Sequence, residues 1–157
     1  MRTIYTQLPS PLGDLLVVTR GEALAGLYFP EHRRGPVIAG TWERAGAAPA
    51  LLSDELAAYF AGALLTFSVP LDPTGTPFQH EVWAALRGVG HGATTTYRDL
   101  AGTIGRPTAA RAVAGAVARN PISVVVPCHR VVGSDGALTG YAGGIERKRH
   151  LLELERG

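Results

Sequence analysis

One cysteine in 157 residues, Cys128, leaves no partner for a disulfide, so packing and hydrogen bonds must hold the chain together. A lone thiol fits a reducing, intracellular setting. No stretch reaches about 18 apolar residues before Gly, Pro or a polar residue interrupts it, so no membrane-spanning helix is expected. The opening MRTIYTQLPSPLG has no apolar run behind Arg2 of the kind a secretory signal carries. Five dispersed histidines and one thiol offer no metal-ligand spacing. Neither a dinucleotide nor a phosphate-loop glycine fingerprint is present, and no internal repeat is visible.

Charge is also scarce, at 18% of residues, and it is unevenly placed. Residues 1–75 carry 5 Lys/Arg against 7 Asp/Glu, whereas residues 76–157 carry 10 against 6. From Leu100 through Ser134 there is no acidic residue, while Arg106, Arg111, Arg119 and Arg130 are all present. A one-signed stretch of this kind suits a polyanion, although a solvated basic face would look the same in sequence.

The N-terminal third alternates short apolar runs, Arg2–Leu8, Leu15–Thr19 and Ala25–Phe29, with turn residues, which predicts a small antiparallel meander. Residues 33–49 read as a loop. Apolar spacing then predicts a helix over 54–64 capped by Ser53, laid on the sheet. Pro70–Pro77 is dense in Pro and Gly and coincides with the charge boundary, so the expected division is 1–75 and 76–157.

In the second part, Phe78–Arg87, Tyr97–Ile104 and Thr108–Arg119 read as helices. The last two, joined by Gly105-Arg106-Pro107, match a helix-turn-helix. The second of that pair, AARAVAGAVAR, is nearly all small residues, so its backbone could lie close to a duplex while Arg111 and Arg119 project. Ile122–Val126 is a β-branched run fit for a buried strand ending at Pro127-Cys128-His129-Arg130. A sole cysteine is more often a buried hydrophobe than a reagent. The adjacent His129 and Arg130 would nevertheless favour a thiolate, the nucleophilic form.

The segments Asn120-Pro121, Pro127–Gly133, Leu138–Gly144 and Leu151–Glu155, with the upstream PFQHEVWAAL, resemble those of the O6-alkylguanine-DNA alkyltransferases. The resemblance implies an α+β fold: a small ribonuclease H-like sheet domain with a helix, then a mostly helical, winged-helix-like domain with a helix-turn-helix. It implies DNA repair by direct reversal, in which an alkyl group passes once and irreversibly from O6-alkylguanine, or O4-alkylthymine, to Cys128 of a methylated-DNA–protein-cysteine methyltransferase. By position, His129 matches the histidine that takes the thiol proton through a water. Glu155, 27 residues after Cys128, matches the acid orienting that histidine, with Glu146 and Glu153 as alternatives. Asn120 matches the hinge, Tyr97 the residue polarising the departing guanine, and Arg111 the arginine filling the flipped nucleotide's place. Gln79, Arg98, Arg106 and Ser134 fall at DNA-contacting positions, and Tyr141 and Val131 at the pocket. The resemblance further implies a cytoplasmic monomer, able to cluster on double-stranded DNA, that needs no flavin, metal or adenosylmethionine and no membrane.

The chemistry stands beside the resemblance. Thiolate attack on a saturated carbon needs a base, an in-line approach and a protonated leaving group. A base edge inside a stacked duplex is out of reach, so the nucleotide must be extruded. A cysteine hydrolase would use a similar Cys-His-acid set but would turn over. The family's non-catalytic DNA-binding relatives carry Trp where this chain has Cys128, and a plain helix-turn-helix regulator would leave that cysteine unexplained.

Overall fold

The computed structural model describes residues 2–33 and 35–157. Three strands, β1 (Thr3–Leu8), β2 (Leu15–Arg20) and β3 (Ala23–Tyr28), pair antiparallel as the alternation requires, with a bulge between Val18 and Thr19. The meander is extended by a two-residue strand, β4 (Glu43–Arg44), inside the region expected to be loop. It pairs parallel to β1 and gives the order β3-β2-β1-β4.

Helix α1 runs Ala50–Phe60, earlier than expected, and Ser53 lies inside it, its N–H bonded to the Pro49 carbonyl. Its end is set by Gly62 at φ +77°. The Gly62 and Ala63 amides bond back to Tyr59 and Ala58, a closing pattern that needs a left-handed residue and stops the helix before Leu64. Leu52, Leu56 and Tyr59 on its buried face join Leu15, Val17, Leu24 and Leu27 of the sheet in the core.

Helix α2 (Pro77–Arg87) opens with a capping box, in which Thr76 and Gln79 each satisfy the other's backbone N–H. Helix α3 (Tyr97–Thr103) is capped by Thr96, and α4 spans Ala110–Ala118. The connection between them is longer than the three-residue turn expected. Arg106 N–H bonds to Ala101 O and Ala109 N–H to Arg106 O, so Pro107 falls in an extra turn ahead of α4. Val113, Ala116 and Val117 bury the apolar face of α4, and Trp83 of α2 donates its indole N–H to Ala116 O.

Ile122–Val126 does not form the expected strand. Only Ile122 bridges to β3, through Leu27 N–H to Pro121 O and Ser123 N–H to Leu27 O. The chain then folds on itself with Val124 at φ +70°. Val126 N–H to Ile122 O closes the turn around this strained β-branched residue, and Asn120, described below, braces it. A single 3-10 turn, Cys128–Arg130, follows, and α5 (Ile145–Arg156) closes the chain.

The core is continuous across 1–75 and 76–157. Arg147 of α5 reaches into the first part, donating to Leu12 O and Pro30 O and lying 5.4 Å from the centre of the Phe29 ring. Among the described residues no helix is long and apolar enough to cross a membrane.

Candidate active site

Asn120, directly after α4, is buried and spends its side chain on the turn ahead. Its Oδ1 accepts from Ile122 N–H at 3.0 Å, and its Nδ2 donates to Val126 O at 2.9 Å and Ile122 O at 3.3 Å. Those bonds fix the run that delivers Cys128. The thiol is 8% exposed and lies on a cavity of about 200 Å³ whose wall includes Tyr97, Val117, Ala118, Asn120 and the Gly140–Ala142 segment. Helices α3 and α4 both border this cavity, α3 through its first residue and α4 through its last turn. A larger depression of about 530 Å³ over the sheet edge, lined by Asp14, Tyr28 and Glu31 among others, contains no cysteine.

Behind the cysteine, His129 is fully buried with Nε2 2.7 Å from Glu155 Oε2. Arg130 clamps the same carboxylate through Nε to Oε1 at 2.8 Å and Nη2 to Oε2 at 2.9 Å. Burial alone would raise the Glu155 pKa, but hydrogen bonds from His129, Arg130 and Tyr59 hold it well below the usual carboxylate range. An ionised carboxylate only accepts, so His129 carries its proton on Nε2 and its Nδ1, which has no hydrogen-bond partner among the described residues, is the ring's basic nitrogen. Burial lowers the imidazole pKa against the raising effect of Glu155, so the ring is neutral at rest.

The cysteine departs from expectation in the same way. Burial pushes the Cys128 thiol up, and contacts with Asn120 and Tyr141 and the charge of Lys148 only partly oppose it. Arg130, expected to favour the thiolate and to belong to the basic face, is instead turned inward and neutralised by Glu155. The resting group is therefore a thiol beside a neutral base.

Of the three C-terminal acids, Glu155 is the one that meets His129. Glu146 is exposed and paired with Arg149, and Glu153 is exposed. Tyr97 and Tyr141 line the cavity. Val131 does not; it is fully buried in the core, and its carbonyl accepts from Lys148 Nζ at 2.5 Å. Arg111 is exposed at the second position of α4 and Arg98 at the second of α3. Arg106 is exposed but already engaged with Glu81 at 3.5 Å and with the Phe78 ring. Gln79 is half-buried with its Oε1 committed to the capping box, and Ser134 sits exposed in the turn between Gly133 and Gly136.

Three further contributors escaped the sequence reading. Tyr59 donates its hydroxyl to Glu155 from 96 residues away, a contact no local pattern announces. Arg33 of the β3–β4 connection reaches the cavity wall, its N–H bonded to Ala142 O. Lys148 looks like part of an exposed RKR run but is buried, donating to Val131 O and to both oxygens of Thr139. Its signal was available. Lys148, Leu151, Leu152 and Glu155 recur at the spacing of one helix face, which is the buried one.

An α+β fold in which a helix pair borders a cavity holding a buried thiol, backed by an imidazole–carboxylate pair, defines a class of thiol-nucleophile proteins. Comparison with known proteins narrows it. Residues 3–73 match the 6-O-methylguanine DNA methyltransferase ribonuclease-like domain, and residues 77–157 match the DNA binding domain of the same family. A methylated-DNA–protein-cysteine methyltransferase of Mycobacterium tuberculosis is 47% identical over 97% of this chain and 92% of its own length. One from Haemophilus influenzae is 44% identical over 97% and 86%. The crystal structure of Mycobacterium tuberculosis OGT in complex with DNA superposes with a TM-score of 0.91 at 46% identity, covering 98% of this chain and 92% of that one. The chain belongs to the O6-methylguanine-DNA methyltransferase family.

Proposed function

We propose that this chain repairs double-stranded DNA by moving an alkyl group from O6 of guanine, and from O4 of thymine, to the sulfur of Cys128. The observation that carries the reading is the cavity itself: Cys128 lines it at the foot of α4 with a neutral, carboxylate-anchored imidazole behind it. A cavity of that size admits one base and not a duplex, so the nucleotide is flipped out of the stack before reaction.

His129 Nδ1 takes the thiol proton through a water, and Glu155 steadies the imidazolium that results. The thiolate attacks the alkyl carbon; the S–C bond forms as the C–O6 bond breaks, and the electron pair leaves with the base oxygen. Tyr97 neutralises the departing guanine by proton donation, while Asn120 and Tyr141 hold the thiolate in the cavity. The product is a thioether with no hydrolytic exit, so each molecule acts once and needs no cofactor. Arg111 fills the vacated stack, and Arg98, Arg106, Gln79 and Ser134 contact the DNA around it. The sheet part, 1–75, supports the DNA-facing part, 76–157. A reducing cytoplasm is the setting in which a lone reactive thiol survives.

The test is intact mass after mixing with duplex DNA containing O6-methylguanine. One methylene added per molecule and mapped to Cys128, with no turnover, is expected, and Cys128→Ser should bind the same DNA without reacting. Continued product release from unmodified protein would replace the transferase with a hydrolase.

A further inference from the structure

Glu155 accepts four hydrogen bonds, and one of them comes from the other part of the chain. Three are from the 3-10 turn: His129 Nε2, Arg130 Nε and Arg130 Nη2. The fourth is from Tyr59 on α1, whose hydroxyl lies 2.6 Å from Oε2. The load is uneven. Oε2 receives Tyr59, His129 and Arg130 Nη2, while Oε1 receives Arg130 Nε alone. The polarity of the Tyr59 bond is fixed, since an ionised carboxylate can only accept. The ring is locked as well, 1% exposed and packed against Phe60, Phe67 and His91, with the Phe67 centroid at 5.5 Å.

An oxygen that shares its electron density among three donors gives less to each. Tyr59 and His129 compete for one oxygen. Around Tyr59 the titratable groups are Glu155, Arg130, His91 and Tyr141; around His129 they are Glu155, Arg130 and Lys148, with Cys128 next to it in the chain. Every one of these lies in residues 76–157, so Tyr59 is the element of the first part that acts on the network.

We propose that Tyr59 is a positioning residue for nucleophile activation: by holding Oε2 together with His129, it fixes the carboxylate against the imidazole and limits how readily that imidazole takes a proton. This rests on His129 as the base that accepts the Cys128 proton. It gives the sheet part a role in the chemistry beyond support, because α1 delivers one of the four donors that set the state of Glu155.

The decisive variant is Tyr59→Phe, which keeps the ring and removes the hydroxyl. With Oε2 relieved of one donor, Glu155 draws more strongly on Nε2–H and the imidazolium is favoured. Single-turnover transfer from O6-methylguanine DNA, measured across pH, should then show its acid limb displaced upward by about 0.5 pH unit or more. That is roughly a threefold lower rate on the limb, with little change on the alkaline plateau. Ring-carbon NMR of His129 in the free protein should titrate at correspondingly higher pH. Phe67→Leu, which loosens the packing around Tyr59 but leaves the hydroxyl, should lower the melting temperature without moving the midpoint. An unmoved midpoint together with an unmoved His129 titration in Tyr59→Phe overturns the proposal, as does an equal displacement in Phe67→Leu. A His129 titration that moves while the rate profile stays put upholds the coupling and removes the base role from His129, so the two readings fail separately.

Discussion

At the scale of single residues, the site is built from groups that burial holds in their uncharged forms until substrate arrives. Cys128 is a thiol and His129 a neutral imidazole at rest, and among the described residues the fully buried cation with a Coulombic pull on the sulfur is Lys148. Burial brings that ammonium down to about 8 while Cys128 draws it back up. Replacing Lys148 with Met keeps most of the side-chain volume and removes both the charge and the bonds to Val131 and Thr139. The expected result is slower alkyl transfer together with an upward move in the pH at which Cys128 reacts with a small thiol alkylator; an unchanged thiol titration would make Lys148 a purely structural clamp. Asn120→Ala tests the other support. Loss of three buried side-chain bonds, at roughly 1 kcal/mol each, should destabilise the fold by about 2–3 kcal/mol in denaturant unfolding, because they brace the turn that holds Val124 at φ +70° alongside the backbone bond from Val126 N–H to Ile122 O. A loss under about 0.5 kcal/mol would mean the turn is held by its backbone bonds and packing without Asn120.

At the scale of elements, α4 carries two tasks on two faces. Val113, Ala116 and Val117 lock it to α2 and α3, and its last turn borders the cavity, while Arg111 stands free near its start. The small residues between them leave the outer face thin enough for close approach to DNA. An arginine that plugs a base stack matters only when there is a stack to repair, and unstacking costs roughly a few kcal/mol. Arg111→Ala should therefore slow transfer from duplex DNA severalfold or more and leave transfer from free O6-benzylguanine nearly unchanged. Single-turnover rates on both substrates decide it; equal slowing would place Arg111 in support of the fold or of Cys128.

At the scale of the whole molecule, the two parts are tied together by Tyr59–Glu155, by Arg147 to Leu12 and Pro30, and by β3 to the 121–123 segment. Two of the groups in this interior have folded-state pKa values pushed down, His129 from 6.5 and Glu155 from 4.5. In both cases the unfolded chain binds more protons as the pH falls, so the stability these two groups contribute is complete above about pH 6.5 and declines below it, first through His129 and then through Glu155. Denaturant unfolding at a series of pH values should show this decline, and the Glu155→Gln variant should show a shallower one. Affinity for DNA should in turn fall as salt rises, since Arg98, Arg106, Arg111 and Arg119 are exposed and phosphate contacts release counterions. An affinity indifferent to salt would remove the electrostatic account of the stretch from Leu100 to Ser134.

Much of this was legible in the sequence because it is local or periodic. The three long strands, the presence of helices α1 to α4, the adjacency of Cys128 and His129, and the resemblance carried by Pro127–Gly133 depend on residues near one another in the chain. The misreadings have a common cause. Ile122–Val126 has the composition of a strand, yet Asn120 satisfies its backbone locally and folds it into a turn. Arg130 has the composition of a basic surface, yet Glu155 supplies the acceptors that draw it inside. Tyr59 has the composition of core, and only its meeting with Glu155 across 96 positions gives its hydroxyl a part in the site. Sequence spacing determined which side chains could do the chemistry; the tertiary structure decided which are charged, which are buried and which share an acceptor, because those properties depend on desolvation and on partners that distant segments bring.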